Sequence, residues 1–305
     1  MESLDRGQGG RADEDRRLLS STALALVLTA ALLHATWNLA AKSVTGDRVG
    51  FVWVYAVASA AIWVPIGVAW VVVSGDAPTW RWALGAVVSA VLHVVYQLVL
   101  QRGYGEGDLN LVYPLARGSA PLLTFVVAVA VLGERPGAAG AAGVAAVVAG
   151  VLLISLGGRR VRHRRAGVVW GLTTGATIAS YTLWDSYSVN GLGVPPVPYF
   201  ALGLLLQLPF LAVLVHRRGA PTRVVETWAS ARTQAVTIAV LSPLAYLLVL
   251  HAMQLAPVAL VAAGREASIV VGAGFGWLVL REARPARRLT GAAIVLLGIG
   301  LLAVG

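Results

Sequence analysis

The sequence predicts an all-α membrane protein with ten transmembrane helices arranged as two inverted five-helix repeats. Three observations predict it. The 305 residues are 58% hydrophobic and only 12% charged, with a mean hydropathy of +0.77; soluble domains carry roughly 25% charged residues. Ten apolar stretches approach the roughly 20 residues that a helix needs to cross a bilayer. Finally, Arg117, Glu134, Gly143 and Gly150 recur 148 residues later as Arg265, Glu282, Gly291 and Gly298.

Residues 1–19 mix acids and arginines with Gly7, Gly9 and Gly10 and read as a disordered tail. The apolar run that follows is too long for a signal-peptide core and reads as a retained first span. The first repeat, 20–157, is expected to hold helices over 20–41, 50–73, 82–101, 109–132 and 137–156. A basic linker, 158–166, contains Arg159, Arg160, Arg162, His163, Arg164 and Arg165. The second repeat, 167–305, is expected to hold helices over 167–187, 197–215, 233–253, 257–280 and 289–304. Residues 217–232 read as a longer loop. An odd number of spans per repeat inverts the second copy, and transporters of this plan bind near the midplane between repeats. Dense Gly and Ala in the fifth and tenth helices suit close helix contact.

The net charge of +10 lies mainly between apolar runs, where it suits anionic lipid better than nucleic acid. There are no cysteines, which excludes disulfide and thiol chemistry. The His-Glu-x-x-His, Gly-x-Ser-x-Gly and phosphate-loop signatures are missing, so the chain is not expected to be an enzyme. No cofactor or metal is implied. The expected partners are a small-molecule substrate and membrane lipid, with the chain a monomer or homodimer in a bacterial inner membrane.

Ionisable side chains within a span cost at least about 2.5 kcal/mol on insertion scales and mark function by default. They are His34, His93, Arg117, Asp185, His251, Arg265 and Glu266. Depth counted at about 1.5 Å per residue sorts them into two clusters flanking the midplane. One holds His34, His93, Tyr96, Gln97, Tyr113 and Arg117, with Trp37 and Asn38 nearer the surface. The other holds Tyr181, Trp184, Asp185, Tyr246, Arg265 and Glu266. Guanidinium forks suit carboxylates and phosphates, and Tyr and Trp supply flat walls with a polar handle. Arg117 and Arg265 are therefore expected to bind substrate, together with Tyr113, Tyr96, His34, His93, Trp37, Asn38, Tyr181, Trp184 and Tyr246. Asp185, Glu266, His34 and His93 are the proton-coupling candidates. Glu134 and Glu282 read as interface anchors.

These residues resemble the EamA-type permeases of the drug/metabolite transporter superfamily. The resemblance rests on His34-Ala35-Thr36-Trp37-Asn38 with Lys42, on Tyr113-Pro114-Leu115-Ala116-Arg117, and on Leu132-Gly133-Glu134-Arg135-Pro136 with its second copy at Leu280-Arg281-Glu282. It covers nearly the whole chain after the tail. It implies a secondary transporter for small metabolites, often an exporter, with both termini cytoplasmic. The loop arginines, counted by the positive-inside rule, place both termini outside instead. Helix 1 lacks the acid that small multidrug exporters of this superfamily use, which argues against export of cationic drugs. The rival class is a non-transporting membrane binding or assembly protein, expected to have a sealed core.

Overall fold

The computed structural model describes residues 20–44, 48–107, 109–155, 164–217, 221–278 and 286–304. The tail, most of the basic linker and Glu282 lie outside the described residues. Among those described there is no strand. The helices are α1 (Ser21–Lys42), α2 (Arg48–Ser74), α3 (Trp80–Glu106), α4 (Leu109–Ala130), α5 (Gly137–Ser155), α6 (Arg164–Asn190), α7 (Pro196–Arg217), α8 (Pro221–Leu255), α9 (Val258–Gly264), α10 (Ala267–Leu278) and α11 (Ala286–Val304). Ser20 caps α1, its hydroxyl accepting from Ala23 N–H at 3.2 Å.

Among the described residues seven helices are long and apolar enough to span a membrane: α1, α2, α3, α4, α5, α7 and α8. The protein is thus a multi-pass membrane protein. The 27-residue α6 is long enough, but Thr173, Thr174, Thr177, Ser180, Asp185, Ser186 and Ser188 lower its hydropathy. Thr174, Asp185 and Ser188 are fully buried within the helical bundle. Exposed Val72, Val73, Leu289 and Leu297 give the outer surface the apolar character that lipid requires.

The structure departs from two of the expected boundaries. The long loop over 217–232 is largely helical: α8 begins at Pro221 and bends at Ala231, where φ is −131° and ψ 21°. Charged Glu226 and Arg232 masked it by hydropathy, yet Val224 and Ala231 pack beside Phe51. The ninth helix is broken. Apolar residues run on without a proline, but α9 stops at Gly264 and α10 restarts at Ala267. Arg265 and Glu266 form the turn between them. Glu266 N–H donates to the Ala263 carbonyl, three residues back, at 3.0 Å.

Close backbone contacts join the two halves of the chain. α5 crosses α11 with its direction reversed: Gly143 meets Gly298 and Gly150 meets Gly291. A methyl group on Gly150 would lie 2.7 Å from the Gly291 carbonyl oxygen, and one on Gly291 would lie 2.9 Å from that of Gly150. The corresponding distances at Gly143 and Gly298 are 2.9 and 2.8 Å. Only glycine leaves room for such an approach, which stands in for the hydrophobic drive that lipid removes. Gly171 and Gly175 do the same for α6 against α4, meeting the carbonyls of Val112 and Ala116. α3 and α6 also run opposite ways, Gly85 facing Ser188 and Gly103 facing Trp170.

At the end of α4, Gly133 takes a φ of 70°, and Glu134 N–H reaches back to the Ala128 carbonyl at 3.1 Å. That turn aims the Glu134 carboxylate at the first amides of α9. It accepts from Val258 N–H at 2.7 Å and Ala259 N–H at 3.1 Å. The expected interface anchor is thus a helix cap reaching into the other half of the chain. Burial pushes its carboxyl above the usual carboxylate range, and the two amides oppose that.

Candidate functional site

The broken helix and the reversed contacts frame one cavity of about 660 Å³. Its walls come from α1, α2, α3, α4, α6, α7, α8 and α10, with Arg265 from the break. The deep end is at Ala30, His93, Arg265 and Tyr246; the other end reaches Asn38, Gln101, Tyr104 and Val215, near helix ends on one face. At the opposite ends of the helices Ala23, Trp82, Ala86, Val194, Met253 and Val258 are buried. The cavity therefore approaches one face of the helical bundle, and the other is packed shut.

The two expected clusters form one site. His93 stacks on Tyr181 with ring centroids 4.2 Å apart, and Tyr96 meets the same tyrosine edge-on at 5.4 Å. His34, Trp37, Asn38, Gln97, Tyr113, Arg117, Tyr246 and Arg265 also line the cavity. His34 packs edge-on against Trp37 at 4.8 Å, and Asn38 Nδ2 donates to the His34 carbonyl at 2.7 Å. Counting depth along separate helices missed this union, because the count contains no lateral position.

Arg117 and Arg265 occupy different environments. Arg117 sits in α4 between Pro114 and Pro121. Its Nε lies 3.0 Å from Glu266 Oε2, an ion pair whose angles fall outside those of a hydrogen bond. Its Nη2 donates to Ser268 Oγ at 3.1 Å. Arg265 instead lays its guanidinium over the Tyr246 ring, 5.4 Å from the centroid. Among the described residues no carboxylate lies within ion-pair distance of Arg265.

Three expected site residues do not line the cavity. Trp184 Nε1 donates to the Gly85 carbonyl at 2.9 Å, tying α6 to α3. Glu266 is buried against Arg117. Asp185 is fully buried and forms the centre of a network. Its Oδ1 accepts from Ser89 Oγ at 2.7 Å and from Tyr199 O–H at 2.6 Å, while its Oδ2 accepts from Tyr246 O–H. Sequence reading missed Ser89 and Tyr199, whose polar atoms carried no signal in an apolar run. His93 Nδ1 lies 2.9 Å from the Ser89 carbonyl. A carbonyl only accepts, so Nδ1 carries the proton. His93 Nε2 then faces Asp185 Oδ2 across 3.8 Å, too far for a hydrogen bond. His251 lies outside this group, its Nδ1 bonded to the Leu247 carbonyl at 2.8 Å.

A bundle of apolar helices around an off-centre polar cavity, with a helix broken at a charged pair, is a plan that many secondary transporters share. Residues 165–304 match the EamA-like transporter family, consistent with an EamA-type permease of the drug/metabolite transporter superfamily. That family consists of transporters, not enzymes. No curated protein matches the chain. Of the solved structures that match, one, described as "Crystal structure of protein", superposes with a TM-score of 0.71 at 16% identity. It covers 92% of this chain and 96% of its own, and at that identity the likeness concerns fold alone.

Proposed function

We propose that the chain is a secondary transporter working by alternating access, built from two inverted five-helix repeats. The observation that carries this reading is the cavity, which reaches both Arg117 and Arg265 and approaches one face only. A sealed core would have favoured a binding or assembly protein. The glycine contacts support the inverted repeat. Gly143 and Gly150 correspond to Gly291 and Gly298 by the offset of 148, and exchanging the two copies maps the Gly143–Gly298 contact onto the Gly291–Gly150 contact.

The proposed cargo is a small anionic or zwitterionic metabolite, held at the cavity's deep end by Arg265 and walled by Tyr96, Tyr113, Tyr181 and Tyr246. Export is the direction that the EamA resemblance favours. His93 and Asp185 are the proposed proton pair, because a proton on Nε2 would face Oδ2 and draw the 3.8 Å gap closed to a charge-assisted hydrogen bond. Metabolite uptake and efflux profiling in cells with and without the protein tests the reading. A reproducible difference confined to anions or zwitterions supports it. Unchanged profiles despite confirmed membrane expression would sink it and favour the assembly protein.

A further inference from the structure

Among the described residues the cavity wall holds histidines and two arginines but no aspartate or glutamate. The nearby acids are both engaged behind that wall. Glu266 is paired with Arg117, and Asp185 is fully buried under three hydroxyl donors. The Arg117–Glu266 pair cancels its own charge. Among the described residues the one unpaired guanidinium facing the cavity is that of Arg265.

The way Arg265 is held matters. A contact over an aromatic face uses the cation's charge but occupies none of its N–H donors. Among the described residues no group accepts a hydrogen bond from Arg265, so its planar fork is free for a planar acceptor. Tyr246, the ring beneath it, is fixed by its hydroxyl bond to Asp185. The fork is thus positioned before a ligand arrives, and little ordering cost remains for binding to meet. The same cavity is lined by flat or apolar surfaces from Tyr181, Ile178, Phe200 and Leu204. At about 660 Å³ the cavity falls in the range of roughly 300–1,000 Å³ typical of small-molecule sites.

We infer that the cavity selects an organic monoanion, a carboxylate on a flat apolar body, over zwitterions, cations and dianions. This rests on the transport reading for its purpose but not for its test. A zwitterion would bring an ammonium to a wall without a carboxylate. A dianion would bring a second charge that the paired Arg117 cannot match without releasing Glu266.

The full chain in nanodiscs, at pH 8 where an ordinary histidine is neutral, is titrated with benzoate, benzamide, phenylalanine, benzylamine and phenyl phosphate. Its 10 tryptophans report binding and unfolding. Benzoate is expected to bind about tenfold or more tighter than each of the others, as one charge-assisted pair implies. Arg265→Gln is expected to abolish the preference for benzoate over benzamide. Arg265→Lys, which keeps the charge without the fork, is expected to weaken benzoate and serves as the second variant should the glutamine form fold poorly. Equal or tighter binding of phenylalanine, benzylamine or phenyl phosphate overturns the inference. So does an Arg265→Gln protein that retains the preference, or absence of benzoate binding up to its solubility. Benzoate binding without any translocation would leave this inference standing and defeat the transport reading. Translocation of a zwitterion or cation without monoanion binding would do the reverse.

Discussion

Arg117 Nε lies 3.0 Å from Glu266 Oε2, across the boundary between the two halves of the chain. Both side chains are nearly buried, at 13% and 7% exposure. Removing one partner from such a pair leaves an uncompensated charge and costs on the order of 3–5 kcal/mol. Arg117→Met or Glu266→Met alone is therefore expected to lower the unfolding temperature sharply. The double variant Arg117→Met with Glu266→Met, which removes both charges, is expected to recover most of the loss. Thermal unfolding of the four proteins in one detergent, arranged as a double-mutant cycle, checks it. If each single change is mild and the two simply add, the pair does not bind the halves together.

Arg117 and Arg265, 148 residues apart in the chain, are expected to respond differently to lysine. At Arg117 the fork spans Glu266 and Ser268, so Arg117→Lys loses one of two contacts and lowers stability. At Arg265 the only partner among the described residues is the face of Tyr246. Arg265→Lys is therefore expected to unfold at nearly the parent temperature while transport falls about tenfold or more, since the bidentate fork is lost. Parent-like transport by Arg265→Lys would remove it from the binding site. A sequence alone could not foresee this division. It identifies two arginines too deep for lipid, but the acid that neutralises one of them stands beside the other in the chain.

Much of the helical framework was legible because apolar runs must be long enough to cross a bilayer. The start of α8 was not, since Glu226 and Arg232 break the apolar run while the chain stays helical on both sides of the bend at Ala231. The break at Arg265 was not legible either. It arises from three-residue hydrogen bonding at Glu266, which no hydropathy window registers. For the site, residue types were informative and lateral neighbours were not: His93 and Tyr181 were placed in separate clusters, yet they stack. Trp184 and Asp185 read as cavity residues because polar groups within a span suggest water. Both instead find partners in packed helices.

Two glycines of α11 should behave oppositely when replaced. A methyl on Gly298 would fall 2.8 Å from the Gly143 carbonyl oxygen and from Val147 N. Backbone cannot step aside as a side chain does, so Gly298→Ala should destabilise by about 1–3 kcal/mol. Gly300, two residues along the same helix, has nothing within 4 Å of such a methyl. There Gly→Ala removes backbone freedom at no steric cost, with a gain of up to about 1 kcal/mol. Unfolding temperatures of the two variants should therefore move in opposite directions. A neutral Gly298→Ala would mean that α5 and α11 do not cross as closely as described.

The last expectation concerns what holds one face closed. Asp185 draws together Ser89 of α3, Tyr199 of α7 and Tyr246 of α8 while itself belonging to α6. All four helices bound the packed end, so any opening of that end must part some of these bonds. Asparagine at position 185 keeps the shape but offers one acceptor oxygen in place of two, and its NH₂ faces hydroxyls that need an acceptor. All three hydrogen bonds lose the carboxylate's charge, which makes such bonds stronger than their neutral counterparts, and at least one loses its acceptor. The natural chain has no cysteine, so a single one reports access cleanly. Ser188→Cys places it in the packed end, where Ser188 is fully buried; Gln97→Cys places it on the cavity wall. In the parent protein a thiol reagent is expected to label position 97 quickly and position 188 slowly. Adding Asp185→Asn should speed labelling at 188 by about tenfold without speeding it at 97. Faster labelling at both positions would indicate general loosening of the fold. Unchanged protection at 188 would show that apolar packing around Trp82 and Val194, and not Asp185, keeps that face shut.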